Sequence, residues 1–211
     1  GEKGNMHPFG DNAFRASIFL AKIIWDSIAE VVHAATDAMA WLQKASRVAS
    51  SEGLPIRWDT PVNFPVLQAY KATKPYRIKT KLLGSVFQPM IYKETGKIDK
   101  NRQANGISPN FVHSIDASHM MITINVAQQC DIHNFAMVHD SYGTHAADAG
   151  QLWWCLRKAF VEMYKQCDVL EDFKNDLLDI LPKDKHNAIT ATPEKGDLDI
   201  DVVEGSSFFF A

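Results

Sequence analysis

The stretch "FAMVHDSYGTH", residues 135–145, is an apolar run that ends in an abrupt polar turn. The pattern predicts a short strand over 135–138, then a turn region and a returning strand over 144–146. Asp140 stands in the turn, directly after His139. An Asp at such a position either caps the bend as an Asx turn or presents its carboxylate to a divalent cation. The dipeptide alone favours the turn cap.

A helix is predicted upstream, over residues 108–129, with a Ser as its N-cap and a Pro at its first helical position. His113, Asp116 and His119 lie on this helix and raise the alternative of a zinc site. Spacings of three and six residues do not place both histidines on one helical face. No HExxH or CxxC motif accompanies them.

Apolar residues at steps of three and four predict that residues 11–50 form one long helix, or two in line. Asp11 is the predicted N-cap, and Gly53 and Pro55 are predicted to end the helix. Apolar residues also lie off the main stripe, for example at Trp41. We therefore expect this helical segment to be buried on more than one side, as a scaffold within something larger.

A basic segment follows, with eight Lys and Arg against two acidic residues over 74–103. Period-two alternation predicts a β-hairpin with strands over 77–82 and 86–92 and a further turn at "KETGK". The tail from residue 165 is acidic, with five basic against eleven acidic residues. The hairpin is either an ordinary solvated element or a polyanion contact, since a two-stranded ribbon fits the DNA major groove.

Size and composition set the remaining bounds. The 211 residues, 46% hydrophobic and 22% charged, suit a globular protein of one large domain or two small ones. No apolar stretch is long enough to span a bilayer, and three cysteines without a CxxC pair indicate reduced thiols. The terminal "SSFFFA" predicts a C-terminus docked in the core, because three exposed Phe would favour aggregation.

Together these stretches resemble the C-terminal portion of the single-subunit RNA polymerases of bacteriophages and mitochondria. The resemblance covers essentially the whole chain, and the "FFFA" ending with the glycine after "HDSY" is more similar to the phage branch. The motifs that carry it are "LAKIIWDSI", "AMAWLQKAS", "WDTPVNFPVLQAY", "GISPNFVHSIDASHMM" at 106–121 and "FAMVHDSYGTHAAD" at 135–148.

The resemblance implies an α+β, predominantly α-helical chain that forms part of a right-hand polymerase fold with a protruding β-hairpin. Fingers helices would occupy 1–73, the specificity-loop hairpin 74–103, and the palm portion with the HDS motif and C-terminal foot 104–211.

The resemblance also implies roles for individual residues. Asp140 matches a catalytic aspartate that binds Mg²⁺, and His139 is the catalytic histidine before it. His113 matches a residue near the template–primer minor groove. The remaining implied residues are Arg77, Lys79 and Gln88, which would read promoter DNA, and Tyr142, Phe210 and Ala211, which would support the active site.

The implied reaction is DNA-directed RNA synthesis, in which the RNA 3′ hydroxyl attacks the α-phosphate of an NTP. Its cofactor would be Mg²⁺, and its partners promoter DNA, the template, the transcript, NTPs and a missing N-terminal part of the polymerase, with no membrane. Its place would be the cytoplasm of an infected bacterium rather than the mitochondrion.

The chain also departs from the family pattern. It lacks the first palm aspartate and the fingers helix that carries Arg, Lys and Tyr, so we expect the isolated chain to be inactive. Four alternatives to an active RNA polymerase portion stay open: a non-catalytic DNA-binding remnant, an accessory protein, a family A DNA polymerase fragment and an HD-type phosphohydrolase.

Overall fold

The computed structural model describes residues 9–82 and 84–209, without the side chains of Asp11 and Leu82. Helices make up 57% of the described residues and the strands form small antiparallel pairs, which confirms the predicted α+β, predominantly helical class. The helices are α1 Ala13–Val31, α2 His33–Ser51, α3 Lys100–Gln129, α4 Ala149–Gln166, α5 Val169–Ile180 and the short α6 Val202–Gly205. The strands are β1 Ile56–Asp59, β2 Pro65–Gln68, β3 Lys71–Arg77, β4 Thr80–Leu82, β5 Ser85–Phe87, β6 Met90–Ile98, β7 Ala136–Val138 and β8 Ser141–Gly143.

The N-terminal helical segment is two helices that meet at Val32, whose φ of −114° and ψ of 58° leave the helical region. The prediction of Asp11 as N-cap is wrong, because a 3₁₀ turn occupies Gly10–Asn12 and Asn12 precedes the first α-helical residue. Gly53 ends the segment as predicted, with a φ of +74° that a glycine adopts without strain.

The core lies where α2, α3, α5 and β1 meet. Its centre is an aromatic cluster around Phe173, whose ring centroid lies 6.0 Å from Trp41, 5.8 Å from Trp58 and 5.3 Å from Phe111. Edge-to-face pairs at such distances add stability beyond the area that they bury. By contrast, α1 has no buried residue among the described residues, so its burial within something larger stays a prediction.

A β-hairpin arm projects between β2 and α3 and has two tiers. The inner tier pairs β3 with β6 from Lys71↔Ile98 to Arg77↔Met90, and the outer tier pairs β4 with β5. The predicted continuous strands are interrupted, because Pro89 lacks an N–H for the ladder. The predicted turn at "KETGK" is wrong, since these residues lie inside β6, where the register shifts opposite Lys71 and Thr73.

Helix α3 begins eight residues earlier than predicted. The Asp99 carboxylate accepts hydrogen bonds from the amides of Asn101 and Arg102, both at 3.1 Å, which makes it the N-cap. The predicted start at Ser108 is therefore wrong, and Pro109 lies inside the helix. A helix that continues through a proline loses one backbone hydrogen bond, so the early cap and the packing of α3 must stabilise it.

Two buried glutamines join the base of the arm to α3. The Gln68 side-chain amide donates to the Gln103 carbonyl and the Gln103 amide donates to the Gln68 carbonyl, each at 2.9 Å. Beside them, Tyr70 packs on Gly106, where a Cβ atom would lie 2.7 Å from the Tyr70 ring. The missing Cβ of glycine lets the tyrosine ring lie close to the helix backbone, and a larger residue there would displace the ring.

The C-terminal third packs along α3 and α5. Helix α4 is followed directly by α5. Beyond α5, Ile189 is buried and the Trp41 indole donates to the Thr190 carbonyl at 3.3 Å, so these residues are packed on the core. At the end of the chain Phe209 packs on Phe160 with centroids 4.7 Å apart, whereas Phe208 is 92% exposed. No described helix is long and apolar enough to cross a membrane.

Candidate active site

The hairpin of β7 and β8 presents Asp140 at its tip. Val138 pairs with Ser141, so His139 and Asp140 form a two-residue loop. His139 has a φ of +53°, the left-handed conformation that tight hairpin loops require and that few side chains adopt without cost. The predicted strand over 135–138 is thus confirmed as β7, but the return begins at Ser141 and not at residue 144.

Gly143 closes the hairpin opposite Ala136. A Cβ atom at this position would lie 3.2 Å from the Ala136 carbonyl oxygen, which is tighter than ordinary contact. The glycine after the "HDSY" motif therefore lets the two strands approach and holds the loop between them at a fixed length.

The Asp140 carboxylate is exposed to solvent. Within residues 9–82 and 84–209 it accepts no hydrogen bond from a backbone amide and forms no ion pair. An Asx turn needs such a bond, so the turn-cap alternative gains no support from the described residues. The carboxylate oxygens are instead available to a ligand.

Asp140 lies between two clefts and lines both. One cleft, of about 570 Å³, has His113, Asp116 and His139 among its lining residues. The other, of about 660 Å³, lies between the hairpin and α4 and is lined also by Arg157. Because the two clefts share the Asp140 carboxylate, a ligand in each cleft can reach that group.

A buried histidine on α3 supports the hairpin from below. His119 is 4% exposed, and its Nε2 lies 2.9 Å from the Leu156 carbonyl oxygen on α4. Its Nδ1 lies 3.3 Å from the hydroxyl of Tyr142 on β8. Burial lowers the pKa of His119, while the Leu156 carbonyl and Asp116 oppose that shift. Burial, with the negative charges of Asp116 and Asp140, raises the pKa of Tyr142 to about 12.

Arg157 on α4 forms the other wall of the larger cleft and is only 2% exposed. Its guanidinium stacks on the Trp153 ring at 3.6 Å, and its Nε donates to the Ser206 carbonyl at 3.2 Å. The Phe209 ring centroid lies 5.5 Å from the guanidinium carbon. Arg157 therefore fastens the C-terminal segment to α4 through a planar, always charged group.

The predicted site residues fall into separate places. His113, His139 and Asp140 meet at one cleft, and Tyr142 lies beneath the loop. Phe210 and Ala211 lie outside the described residues. Arg77, Lys79 and Gln88 do not line either cleft; they lie exposed on the hairpin arm.

Sequence reasoning missed Arg157 and assigned Asp116 and His119 only to a possible zinc site. Asp116 lines the cleft, whereas His119 bonds α4 and the hairpin and does not line that cleft. A signal for Arg157 did exist, since a charged residue within the apolar face of α4 must find a partner when it is buried. The partner could not be read from local sequence, because Ser206 lies 49 residues away.

Mg²⁺ is the cation that the chemistry of this site must suit. It prefers hard oxygen ligands and often binds one or two carboxylates together with water and phosphates. Asp140 supplies one exposed carboxylate. No group of three or more His, Cys, Asp and Glu residues within 9–82 and 84–209 could hold a metal ion. The described residues thus fit a Mg²⁺ ion that takes further ligands from elsewhere.

Comparison with known proteins gives consistent matches. A family model for DNA-dependent RNA polymerase matches residues 2–190. The DNA-directed RNA polymerase of Enterobacteria phage K11 is 38% identical over 213 residues, which cover 93% of this chain and 23% of that polymerase. T7 RNA polymerase of Escherichia phage T7 is 37% identical over 212 residues, covering 93% and 24% respectively. DNA-directed RNA polymerase 2A of Nicotiana tabacum is 38% identical over 200 residues, covering 93% and 57%.

The chain spans about a quarter of the length of the two phage relatives, so the matches concern only that part of each relative. They cover the hairpin, both clefts and the aromatic core. The chain belongs to the family of single-subunit, phage-type DNA-dependent RNA polymerases, which confirms the predicted family and its polymerase fold.

Proposed function

We propose that this chain supplies part of the catalytic centre of a phage-type DNA-directed RNA polymerase. In the reaction, the 3′ hydroxyl of the RNA attacks the α-phosphate of an NTP, the new phosphodiester bond forms, and pyrophosphate leaves. Family membership supports the class of reaction, and the geometry around Asp140 supports its location in this chain.

The observation that carries the proposal is the position of Asp140. Its carboxylate is exposed at a hairpin tip, unpaired among the described residues, and shared by two clefts. One cleft would receive the nucleotide and the other the growing RNA end, so that both reactants approach the same carboxylate.

Asp140 would hold Mg²⁺, which when bound supplies positive charge to the phosphate oxygens and lowers the barrier for their transfer. His113 and His139, which line the same cleft, would donate hydrogen bonds to phosphate or nucleic acid backbone. Asp116 lines the same cleft, but the family resemblance implies a further metal-binding aspartate that precedes these residues. We therefore expect the chain alone not to catalyse nucleotide transfer.

The test is RNA elongation by this chain assembled with the preceding portion of a phage-type polymerase. Asp140→Asn keeps the side-chain size and removes the charge. Removal of one preorganised charged group at a reacting centre typically costs at least about 100-fold in rate. Asp131→Asn is the matched control, since Asp131 is an exposed aspartate, with 98% side-chain exposure, outside both clefts. Elongation by Asp140→Asn within twofold of that control would refute the assignment.

We further propose that the hairpin arm contacts promoter DNA through Arg77, Lys79 and Gln88. Thr80 pairs with Phe87 and Arg77 with Met90, so Lys79 and Gln88 lie across from one another between the two tiers. Cationic side chains attract phosphate, and arginine or glutamine can pair with base edges in the major groove.

The arm proposal predicts that Arg77→Ala with Lys79→Ala weakens DNA binding and reduces its salt dependence by roughly two units of slope. Lys183→Ala with Lys185→Ala removes equal charge from the 3₁₀ segment after α5 and serves as control. Equal losses for both pairs would show that only overall charge matters. DNA binding through the arm without activity in any assembly would favour a non-catalytic DNA-binding protein.

The relatives include phage enzymes and enzymes of plants, among them one described as chloroplastic or mitochondrial. We keep the cytoplasm of an infected bacterium as the proposed place of action, on the strength of the phage-like motifs. Template, transcript and NTPs remain the proposed partners.

A further inference from the structure

We propose that His119 is a positioning residue that holds the Asp140 hairpin in place through the hydroxyl of Tyr142. This inference deepens the proposed function, on which its activity measurement rests, while its structural measurement stands alone. The sequence suggests His119 only as a zinc ligand, whereas its contacts with Leu156 and Tyr142 indicate a different role.

The hydrogen bonds of His119 fix its tautomer. The Leu156 carbonyl oxygen can only accept, so the His119 Nε2, 2.9 Å away, carries the hydrogen and donates it. In the neutral ring Nδ1 then carries a lone pair, and the Tyr142 hydroxyl at 3.3 Å donates to it. Burial lowers the pKa of His119, which keeps the ring neutral near pH 7 and preserves this direction of donation.

The imidazole is held firmly by its surroundings. It is 4% exposed and lies between α3 and α4, and the Phe160 ring meets it edge-on at a centroid distance of 5.4 Å. The Tyr142 ring also packs against it, with centroids 5.9 Å apart. A side chain enclosed in this way is a fixed point to which a mobile element can be attached.

The hairpin needs such an attachment. Its strands have three residues each and pair only from Ala136↔Gly143 to Val138↔Ser141. A two-stranded hairpin of this size is marginally stable alone, and this one must also hold His139 at a φ of +53°. Tyr142 stands two residues after Asp140, so a bond at its hydroxyl restrains the strand that leads directly from the loop.

The test compares Tyr142→Phe with Tyr164→Phe in the full chain. Both changes remove one hydroxyl. Both rings are near Phe160: the Tyr164 ring centroid lies 4.7 Å from it, and the Tyr142 ring packs on His119, which meets Phe160. Tyr164 does not contact the hairpin through any described hydrogen bond, so its variant controls for loss of a tyrosine hydroxyl. Amide hydrogen exchange is measured over residues 136–143, and nitrogen chemical shifts report the tautomer of His119.

We expect Tyr142→Phe to speed exchange in the hairpin by about three- to tenfold, the range for loss of one hydrogen bond, and to shift the Nδ1 resonance of His119. Tyr164→Phe should leave both unchanged. Equal exchange in the two variants, or an unchanged Nδ1 resonance in Tyr142→Phe, would overturn the inference.

The same pair is then assayed in the assembled polymerase. Tyr142→Phe should lower kcat for elongation by about three- to tenfold with KM for NTP within twofold, because the loop is displaced and binding surfaces stay intact. If the hairpin loosens in Tyr142→Phe but no assembly is active at all, the proposed function fails while the positioning role stands. If the assembly is active and kcat is unchanged despite a loosened hairpin, the positioning role is refuted.

Discussion

Helices α1 and α2 are both 19 residues long, follow one another directly and are both amphipathic, yet they differ in burial. Helix α2 buries six residues against α3, β1 and the 3₁₀ segment after α5, whereas α1 buries none. Phe14 is 77% and Val31 76% exposed, although their residue types belong in a core. An apolar stripe on a helix therefore indicates that this face is to be buried. Which element buries it depends on residues far away in the sequence or in another part of the assembly.

The exposed apolar side chains of α1 form a patch of the kind that is typical of interaction surfaces. We propose that this patch is covered in the assembled polymerase. The preceding portion of the polymerase is the occupant that the proposed function requires. The comparison of covered with uncovered positions can be tested by making the same change in both.

The largest effect is expected for phenylalanine in the core. Phe173→Ala removes a ring that contacts three aromatic neighbours and should lower the free energy of unfolding by about 3–5 kcal/mol. Phe14→Ala on α1 should change it by less than about 0.5 kcal/mol. Chemical denaturation measures both, and a comparable loss for Phe14→Ala would show that α1 is covered in the isolated chain.

The next effect concerns assembly. Trp25→Asp on α1, where Trp25 is 59% exposed, should weaken binding to the preceding portion of the polymerase by at least about tenfold, because a charge would be buried without a partner. The stability of the chain itself should not change. Titration calorimetry gives the affinity, and unaltered binding would remove α1 from the interface.

A smaller effect is expected for glycines. Gly106→Ala places a methyl group 2.7 Å from the Tyr70 ring and should lower the free energy of unfolding by about 1–3 kcal/mol. Gly96→Ala in β6 has no heavy atom within 4 Å of the new Cβ and is the control. If both variants melt at the same temperature, the Tyr70 ring moves away from α3 at little cost in free energy, and the close contact does not stabilise the fold.

The smallest effect is a pH dependence. Burial lowers the pKa of His119 from 6.5, so the unfolded chain binds this proton more readily than the folded chain. Stability should therefore fall as pH decreases from about 6.5 through the lowered pKa, and the nearby Asp116 charge should moderate that fall. Groups that face the ring are Asp116, Tyr142 and the Leu156 carbonyl.

Replacing the histidine tests that dependence. His119→Leu should flatten the loss of stability between pH 7 and pH 5, while His113→Leu, at an exposed position, should leave the slope as it is. Thermal unfolding across this range supplies the slopes. Identical slopes for both variants would assign the acid sensitivity to other groups.

The sequence predicted features that depend on local chemistry. Period-two alternation predicted the hairpin arm. The apolar run before Asp140 predicted the strand that leads to this carboxylate. Errors arose where distant residues decide the outcome. The Ser108–Pro109 pair has strong helix-start residues, but the Asp99 carboxylate caps earlier and packing carries the helix through the proline.

Burial was the least predictable property. The segment after α5 is rich in Lys, Asp, Pro and Thr, a composition typical of a linker. Its Thr190 carbonyl nevertheless accepts a hydrogen bond from the Trp41 indole, 149 residues away in sequence. The role of His119 was equally hidden, since its partners Leu156 and Tyr142 come from separate elements. Residue type shows that a buried histidine needs partners, and only the fold shows which partners it finds.

In the proposed function, Asp140 holds a divalent cation at the junction of the two clefts. The most direct measurement replaces Mg²⁺ with Fe²⁺ in the assembled polymerase and maps where locally generated hydroxyl radicals cut the backbone. We predict cuts near His113 and His139 that Mg²⁺ suppresses, that Asp140→Asn abolishes and that Asp131→Asn leaves intact. Cuts confined to other regions, or unchanged in Asp140→Asn, would contradict the account.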